Sequence, residues 1–493
     1  MAKINAQMYQ SEDISLPPKN NSPQTYAAVW LVSGIRFWSL LALSLHLAAF
    51  YLPEPVSWSV WPYTFFPPWL AWGLAVLAAG LTIPAVASAV GRRGARLLAR
   101  LRALNWPAPR WWTLVSLLAG LLFWTARLRH LRWGDAYMLS VALSYPDLNL
   151  RVVYNWQAPL TVFLHQRLWQ FAADPLLGWP VETVYAAVSI GCGVVFVWLL
   201  LAFSARLGRT FLESAVIAGL VLTTGAMQLF FGYVENYTII SVGLLVTAFL
   251  AWRALEGEIA PRWPVLALSL TNAFHPSTVF LWPAMVLLVW RCWRRGFVRP
   301  AAAVGQLVWP PVLVAGGVLA LMESGGHGLQ ALLGVDRPGG GDGIWFVPLF
   351  ETTTRWQHYT MFSAAHLLDW LNIHFLASPF GLPLVGLVFS AARRFRLTLF
   401  TRPAERDFAL FLTTAAGMYV LLTWLWNPDY GGQKDWDLFA PSAFVYTLLA
   451  GFLLTRFLHT RRTLLQAGLP AVGVSLVHTA AWIFTNTHYL PHD

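Results

Sequence analysis

The 493-residue sequence is short of charge, because only 11% of its residues are Asp, Glu, Lys or Arg. A soluble globular domain carries about a quarter of such residues, so this composition excludes an ordinary soluble fold. Apolar residues make up 57% of the chain. Runs of about 20 apolar residues, each long enough to cross a bilayer as a helix, recur along the sequence. We therefore predict an all-α polytopic membrane protein.

Cysteine is almost absent, and its two residues, Cys192 and Cys292, lie in or beside apolar runs. Without a CxxC motif or a framework of loop cysteines, we expect neither structural disulfides nor a thiolate metal site. Residues 1–25 are polar and have no apolar core, so we expect no signal peptide. The predicted organisation is a polar cytoplasmic tail over residues 1–29 and a transmembrane domain over residues 30–493.

Lysine is also rare, since only Lys3, Lys19 and Lys434 occur among the 33 basic residues. The net charge of +11 has the sign that nucleic-acid binding requires. Membrane proteins, however, place basic residues in cytoplasmic loops as a matter of topology. We therefore expect the lipid bilayer, and not nucleic acid, as a partner.

Hydropathy predicts about twelve or thirteen transmembrane helices. The predicted spans are 30–52, 63–90, 111–131, 181–204, 211–231, 237–255, 263–274, 276–291, 301–322, 375–392, 408–426, 438–456 and 466–486. The seventh is too short to cross a bilayer alone. The sequence HPS at 275–277 predicts a break between two short helices.

Arginine predicts the sidedness of these spans. The loop at 91–110 carries six arginines, which makes it cytoplasmic by the positive-inside rule. Alternation of the spans places every later arginine-rich loop on that same side of the inner or plasma membrane, together with the N-terminus. The loops at 132–180, 232–236, 323–374 and 427–437 then face the cell exterior, and they hold most of the acids.

The two long outer loops are predicted to contain interfacial helices. Within residues 157–173, Leu160, Phe163, Leu164, Leu168 and Phe171 recur at helical spacing, which is typical of a helix that lies on a membrane surface. A second candidate helix covers residues 354–372. Between them, the glycine-rich residues 334–343 are either a mobile flap over a site or a plain connector.

Asp135, in the Gly-Asp pair of RHLRWGDAY, follows the third span directly. One interpretation is a helix N-cap. The other is a general base held at the membrane surface. Arg127, Arg129 and Arg132 favour the second interpretation, because they lie at the outer end of a span and are suited to bind a lipid-linked phosphate. For Arg127 and Arg129, snorkelling to the membrane interface is the alternative.

A Gly-Asp pair directly after a span, in the first long outer loop, resembles the GT-C superfamily of integral-membrane glycosyltransferases. The segment DWDLF at 435–439 is similar to a stretch found in bacterial GT-C-like proteins. The resemblance covers the layout from about residue 111 onward. The chain differs in having a pair of predicted spans before that point and no soluble outer domain after the last one.

This resemblance implies transfer of a sugar from a polyprenyl-phosphate donor to a hydroxyl of a glycan, lipid or protein acceptor. The reaction would be inverting, with Asp135 as general base. The leaving phosphate requires cations, and Lys434 is the one lysine predicted on the outer face. The further phosphate-binding candidates are Arg129, Arg132, Arg355 and His358.

Other polar residues at outer helix junctions are substrate-binding candidates. Tyr233, Glu235 and Asn236 lie in FGYVENYT, where they form either a sugar site or a turn with a capping Asn. His275 is a candidate at the break of a helix, and a packing histidine is the alternative.

Asp435 and Asp437 also allow two interpretations. They are candidate substrate or divalent-metal ligands if the segment is extended, or they complement the N-terminus of the twelfth span. No cofactor is established by the sequence.

Two other functions compete with sugar transfer from a lipid monophosphate. A lipid or polysaccharide transporter is one, although no apolar run carries an acid or base near its centre and no internal repeat is visible. A polysaccharide polymerase or ligase that uses a lipid diphosphate is the other.

Overall fold

In a computed structural model of the chain, residues 23–102, 106–334, 336 and 342–488 are described. Helices dominate these ranges, which contain no strand beyond an isolated antiparallel bridge between Phe346 and Trp426. The all-α prediction is confirmed. Most of the predicted N-terminal tail and most of the predicted flap at 334–343 lie outside the described residues.

The helices of eight or more residues in these ranges are numbered here in chain order. They are α1 (Pro23–Ala48), α2 (Pro68–Gly80), α3 (Pro84–Arg102), α4 (Ala108–Thr125), α5 (Ala136–Leu143), α6 (Pro159–Leu168), α7 (Val181–Leu207), α8 (Phe211–Leu222), α9 (Thr238–Leu255), α10 (Arg262–Phe274), α11 (Trp282–Arg294), α12 (Pro300–Ser324), α13 (Ala364–Ala377), α14 (Gly381–Arg394), α15 (Pro403–Leu425), α16 (Trp436–Phe457) and α17 (Arg461–His488).

Within the described part of the chain, seven helices are long and apolar enough to cross a membrane, namely α1, α7, α9, α12, α15, α16 and α17. The pairs α2–α3 and α13–α14 qualify only together, with bends of 90° and 95°, and raise the number to nine. The chain is therefore a multi-pass membrane protein. Other predicted spans form shorter helices, such as α8 with 12 residues and α10 and α11 with 13 each.

Proline accounts for the broken spans, because the residue before a proline is pushed out of the helical conformation. Ser378 precedes Pro379 and has φ −161°, so α13 ends at Ala377 and the predicted span 375–392 is interrupted. His275 precedes Pro276 and has φ −156°, which produces the break predicted at 275–277. Both breaks bring extended backbone to the ends of helices.

The first predicted interfacial helix forms α6 and continues as one π-helical turn from Trp169 to Ala173. Its polar residues His165 and Gln166 are buried, whereas Leu168 and Phe171 are exposed. The apolar face therefore points away from the protein, as a helix at a membrane surface requires. The second candidate, 354–372, is helical only from Ala364 onward.

Helix α16 runs through the centre of the bundle, since 94% of its apolar window is buried. It packs against α8, α14 and α15. Asp437 near its start and Arg456 near its end are only 1% and 2% exposed. A charge buried this deeply is costly unless neighbouring groups compensate for it, so the two ends of α16 have to be understood through their partners.

The helix ends gather into two groups of loops. The cavity end comprises residues 133–135, 232–237 and 426–437, which contact one another through hydrogen bonds. The arginine end comprises residues 206–213, 253–258 and 402–407 with Arg456, which are joined by ion pairs. Helices α7, α9, α15 and α16 each run between the arginine end and the neighbourhood of the cavity end. The assignment of these two groups of loops to the two faces of a membrane stays a prediction.

Candidate functional site

The Gly-Asp turn after α4 joins two other loops of the cavity end. The amide of Gly134 donates to the carbonyl of Lys434 at 2.9 Å, and the amide of Asp135 donates to a carboxylate oxygen of Glu235. Residues that are about 100 and 300 positions apart are thereby fixed beside one another.

Only glycine fits at position 134. Its φ is +50°, in the left-handed region that side chains rarely adopt. A Cβ atom added there would lie 2.5 Å from Glu235 Oε1 and 2.9 Å from Asp437 Oδ2. The backbone of Gly134 is therefore packed between two carboxylates, and the turn depends on the absence of a side chain.

The carboxylate of Asp135 is directed towards another loop and not towards its own helix. Asp135 occupies the N-cap position of α5 but makes no capping hydrogen bond. Instead, the hydroxyl of Tyr430 donates to Asp135 Oδ1 at 3.2 Å. The capping interpretation therefore lacks its hydrogen bond, and the carboxylate is available for other contacts.

The two acids at the start of α16 behave in the same way. Asp435 is at the N-cap position, yet its side chain makes no capping hydrogen bond, and its Oδ2 accepts the amide of Tyr430 at 2.8 Å. Asp437 lies in the first turn, and its buried Oδ2 accepts no hydrogen bond from any described residue. The helix N-terminus therefore accounts for the position of these acids but does not supply a hydrogen bond to Asp437 Oδ2.

Burial makes the cluster hard to ionise. It raises the pKa of Asp135, and the hydrogen bond from Tyr430 offsets part of that rise. It raises the pKa of Glu235 well above its ordinary value, and the charges of Asp437 and Asp135 add to this effect. Burial likewise raises the pKa of Asp435, opposed by the amide of Tyr430 and reinforced by the charge of Asp135. The cluster is therefore a place where protons or positive charge are favoured.

A cavity of about 410 Å³ opens beside these acids. The acidic residues that line it are Asp135, Glu235, Asp429, Asp435 and Asp437. No lysine or arginine lines it among the residues that the structure describes. Another part of the wall is aromatic and includes Trp156, Trp345, Phe346 and Trp426. The cavity thus combines anionic and aromatic surfaces.

The second long loop supplies much of the aromatic wall. Residues 345–347 pair with the end of α15, through Val347 N–H to Leu425 O at 2.8 Å and Asn427 N–H to Trp345 O at 2.9 Å. The rings of Trp345 and Trp426 stack with their centroids 6.1 Å apart. A segment close to the predicted flap is therefore attached to the cavity by backbone hydrogen bonds.

Asp369 on α13 holds the loop that carries Tyr430. It accepts hydrogen bonds from the Trp58 indole at 3.0 Å, the Tyr359 hydroxyl at 3.0 Å and the Gly432 amide at 2.9 Å. A Cβ at Gly432 would lie 2.3 Å from Asp369 Oδ2. Asp369 is therefore a positioning residue for the loop at the mouth of the cavity.

The substrate-binding candidates Tyr233, Glu235, Asn236 and His275 are only partly brought together. His275 lines the cavity, where its ring caps the following turn by accepting the amide of Ser277 at 3.2 Å. Tyr233 and Asn236 are buried but do not line the cavity. Tyr233 packs edge-on against Trp436, with centroids 5.5 Å apart. Of this group, Glu235 and His275 are the members that reach the site.

The predicted phosphate-binding residues Lys434, Arg129, Arg132, Arg355 and His358 are all exposed, and none lines the cavity. The Lys434 carbonyl, rather than its ammonium group, contacts the Gly-Asp turn. His358 Nε2 lies 2.9 Å from the carbonyl of Asp429, and Arg355 lies over the ring of Trp356. Several of these residues therefore lie on loops that border the cavity, outside the acidic cluster.

The cluster has no evident metal site. Among the described residues, no group of three or more His, Cys, Asp or Glu side chains has a geometry that could hold a metal ion. The metal interpretation of Asp435 and Asp437 therefore gains no support from the arrangement of the side chains.

Some residues of the site were not singled out from the sequence. Tyr430 and Asn427 lie within the charged stretch at 427–437, but they are neutral. The tryptophans of the wall belong to a chain with 28 of them, and only their convergence in space distinguishes them. The one feature of the sequence that could have indicated Tyr430 and Asn427 is their position within a segment rich in aspartate.

Comparison with known proteins identifies no relative, since no family model, curated protein or solved structure matches the chain. A fold class by itself does not define a function. The function is therefore argued from the chemistry of the cavity.

Proposed function

We propose that this protein is an integral-membrane glycosyltransferase that moves a sugar from a polyprenyl-phosphate donor to an acceptor hydroxyl at the cavity end. Asp135 is the general base. The observation that supports this function most is the Asp135 carboxylate on the cavity wall, oriented by Tyr430 at 3.2 Å and free of a capping role.

The environment of Asp135 suits it to accept a proton. A buried carboxylate whose pKa is raised is a stronger base than one in water, and a catalytic pKa closer to neutrality increases the efficiency of proton transfer. In the proposed step, the acceptor O–H proton goes to Asp135 while the acceptor oxygen bonds to the anomeric carbon. The bond between that carbon and the phosphate oxygen breaks, and the phosphate leaves with the electron pair. The anomeric configuration is inverted.

The exposed cations are suited to the donor phosphate. Lys434 and Arg132 belong to loops that meet at the Gly-Asp turn, and Arg355 is adjacent to Trp356, whose ring packs against Tyr430 at 5.9 Å. A phosphate held outside the acidic cluster avoids repulsion by the carboxylates. The prenyl chain would remain in the bilayer, and the sugar would enter the cavity. By the positive-inside rule, this face is extracytoplasmic.

The test uses the full-length protein in lipid nanodiscs. Mass spectrometry of the lipids that copurify should detect polyprenyl phosphates or their glycosides. Mannosyl and glucosyl polyprenyl phosphates are then supplied with a panel of glycan, lipid and peptide acceptors, and the glycosylated product is measured. Acceptor-dependent transfer that is lost in Asp135→Asn supports the proposal.

Other outcomes contradict it. Transfer that occurs only from lipid-diphosphate donors would indicate a polymerase or ligase. Movement of a lipid-linked sugar across proteoliposomes, unaffected by Asp135→Asn and without any transfer, would indicate a transporter.

A further inference from the structure

Two buried acceptor atoms on the cavity residues have no donor. Asp437 is 1% exposed and Asn427 is 2% exposed, and both line the cavity. Asp437 Oδ2 and Asn427 Oδ1 accept no hydrogen bond from any residue that the structure describes. Buried polar atoms are normally satisfied. Both residues belong to the cavity wall, so a ligand with N–H or O–H groups, or a cation, bound against this part of the wall would supply the missing donor.

The negative charge of the wall restricts the kind of ligand that the cavity can bind. Asp135, Glu235, Asp435 and Asp437 converge on one cavity, and within the described ranges none of them forms an ion pair with a Lys, Arg or His side chain. A neutral sugar would leave the repulsion among these carboxylates uncompensated, and a phosphate would increase it. A positively charged group is the ligand that lowers the energy of the cluster.

The aromatic part of the wall favours an organic cation over a metal ion as the ligand. Trp345 and Trp426 stack on each other and line the same cavity as the acids, and indole is the side chain that attracts cationic groups most strongly through its face. Metal ions require carboxylates arranged as a coordination shell. No group of three or more His, Cys, Asp or Glu side chains in the described residues has such an arrangement.

We propose that the cavity binds a group bearing a primary ammonium, with Asp437 and Asn427 as hydrogen-bond acceptors and the tryptophan wall beside it. An amino sugar and the amine of a lipid headgroup share this chemistry. The inference rests on the proposed function only in taking this ligand to be part of a substrate. Binding itself does not require that transfer occurs.

The test measures binding to the full-length protein in nanodiscs by isothermal titration calorimetry. The probes are methyl glucosaminide and its uncharged N-acetyl derivative, with ethanolamine to represent a headgroup amine. We expect methyl glucosaminide or ethanolamine to bind at least about tenfold more tightly than the N-acetyl sugar, the scale of one charge-assisted hydrogen bond. The tighter of the two amines identifies the sugar or the headgroup as the source.

Variants locate the site. Asp437→Asn should weaken binding of the favoured amine about tenfold or more, and Asp435→Asn provides a second variant if the first does not fold. Glu258→Gln is the matched control, because it removes one carboxylate at the arginine end, where Glu258 pairs with Arg206 and Arg253. It should leave amine binding unchanged.

Three results would overturn the inference. They are equal affinity for the amine and the N-acetyl sugar, no saturable binding of either amine, and binding of Mg²⁺ or Mn²⁺ that depends on Asp437 while the amines do not bind. Any of these can occur while sugar transfer is observed, so the inference and the proposed function can fail separately.

Discussion

Buried acids occur at both ends of the bundle, but they have different partners. At the arginine end, Glu405 is bonded to Arg456 at 2.9 Å, and Glu213 lies 3.6 Å from the same guanidinium. At the cavity end, Asp437 is as deeply buried as Glu405, yet its Oδ2 has no hydrogen-bond partner in the described part of the chain. The arginine end compensates its charges internally. At the cavity end, no Lys, Arg or His side chain of the described residues forms an ion pair with Asp135, Glu235, Asp435 or Asp437.

Because their partners differ, we expect the acids at the arginine end to contribute to stability and those at the cavity end to function. Removing one partner of a buried ion pair is strongly destabilising, because the other charge remains buried and unpaired. Removing one member of a group of like charges relieves repulsion instead. Substitution of an acid should therefore affect folding at the arginine end and activity at the cavity end.

The largest expected effect belongs to Asp135→Asn, which keeps the size of the side chain but cannot accept the proton. Turnover should fall about 100- to 10,000-fold, the range attributed to a general base, while the thermal midpoint stays close to that of the parent protein. The measurement is transfer from the polyprenyl-phosphate sugar identified by mass spectrometry. Asp174→Asn, an exposed acid of the same loop, is the control. Normal turnover in Asp135→Asn would remove the proposed base.

Glu405→Gln should lower stability and leave turnover unchanged, which is the reverse of the effect expected for Asp135→Asn. It leaves Arg456, which is 2% exposed, without its closest carboxylate. The expected loss of stability is about 3 to 5 kcal/mol, with turnover per folded molecule unchanged. Denaturation followed by circular dichroism, together with activity normalised to folded protein, checks both parts. A stable variant that has lost activity would contradict the division between the two ends.

Part of the arrangement at the cavity end could be predicted from the sequence. Asp135, Glu235 and Asp437 each lie next to the end of an apolar run, and alternation of the spans places those ends on one face. The break at His275 was predictable because Pro276 follows it. The break at Ser378 was not predicted, although Pro379 follows, because the surrounding sequence reads as one continuous apolar run.

The details of the site depend on contacts that the sequence does not encode locally. Nothing near Gly134 indicates that Glu235 Oε1 would lie 2.5 Å from a Cβ at that position. The bond between Tyr430 and Asp135 joins residues 295 positions apart. Trp345 is one tryptophan among 28. Such contacts follow from the packing of the whole bundle, so they could not be predicted from spacing or composition.

Gly134→Ala tests the packing of the carboxylates. The substitution adds the strain of a positive φ, about 1 to 2 kcal/mol, and it also pushes Glu235 and Asp437 apart. Gly326→Ala is the matched control, because Gly326 has φ +79° with no atom within 4 Å of an added Cβ. We expect similar losses of stability from strain, and a fall in turnover of about tenfold or more only for Gly134→Ala. Equal activities would show that the cluster tolerates displacement.

The dependence of stability on pH should also differ between the ends. The pKa values of Asp135, Glu235 and Asp435 are raised by burial in the folded protein. As pH rises above about 4, the unfolded chain loses these protons first, so the stability contributed by the cluster falls until the folded pKa values are passed. Each retained proton contributes a slope of up to about 1.4 kcal/mol per pH unit.

At the arginine end, the pKa of Glu258 is raised by burial but lowered overall by Arg206 and Arg253. Its contribution therefore has the opposite sign and is lost as pH falls. Thermal midpoints measured from acidic to neutral pH should decline less steeply in Asp435→Asn than in the parent protein, and Glu258→Gln should not reduce that decline. An unchanged slope in Asp435→Asn would exclude retained protons at this position.

The smallest expected effect is that of Lys434→Met. Lys434 is exposed and does not line the cavity, so its ammonium would meet a donor phosphate in water and not in a buried site. Exposed charge pairs contribute about 0.2 to 1 kcal/mol, which corresponds to no more than about a fivefold change in donor affinity. Lys434→Arg should recover part of this loss, because it restores the charge with a different shape.

Salt distinguishes this contribution from that of the cluster. An exposed pair is screened over about 8 Å at physiological ionic strength, so the difference between Lys434→Met and the parent protein should vanish as salt is added. Amine binding at the buried Asp437 should depend on salt much less. A loss of donor binding in Lys434→Met that is large and independent of salt would place the ammonium inside the site, and the contrast between a cationic border and an anionic interior would then be wrong.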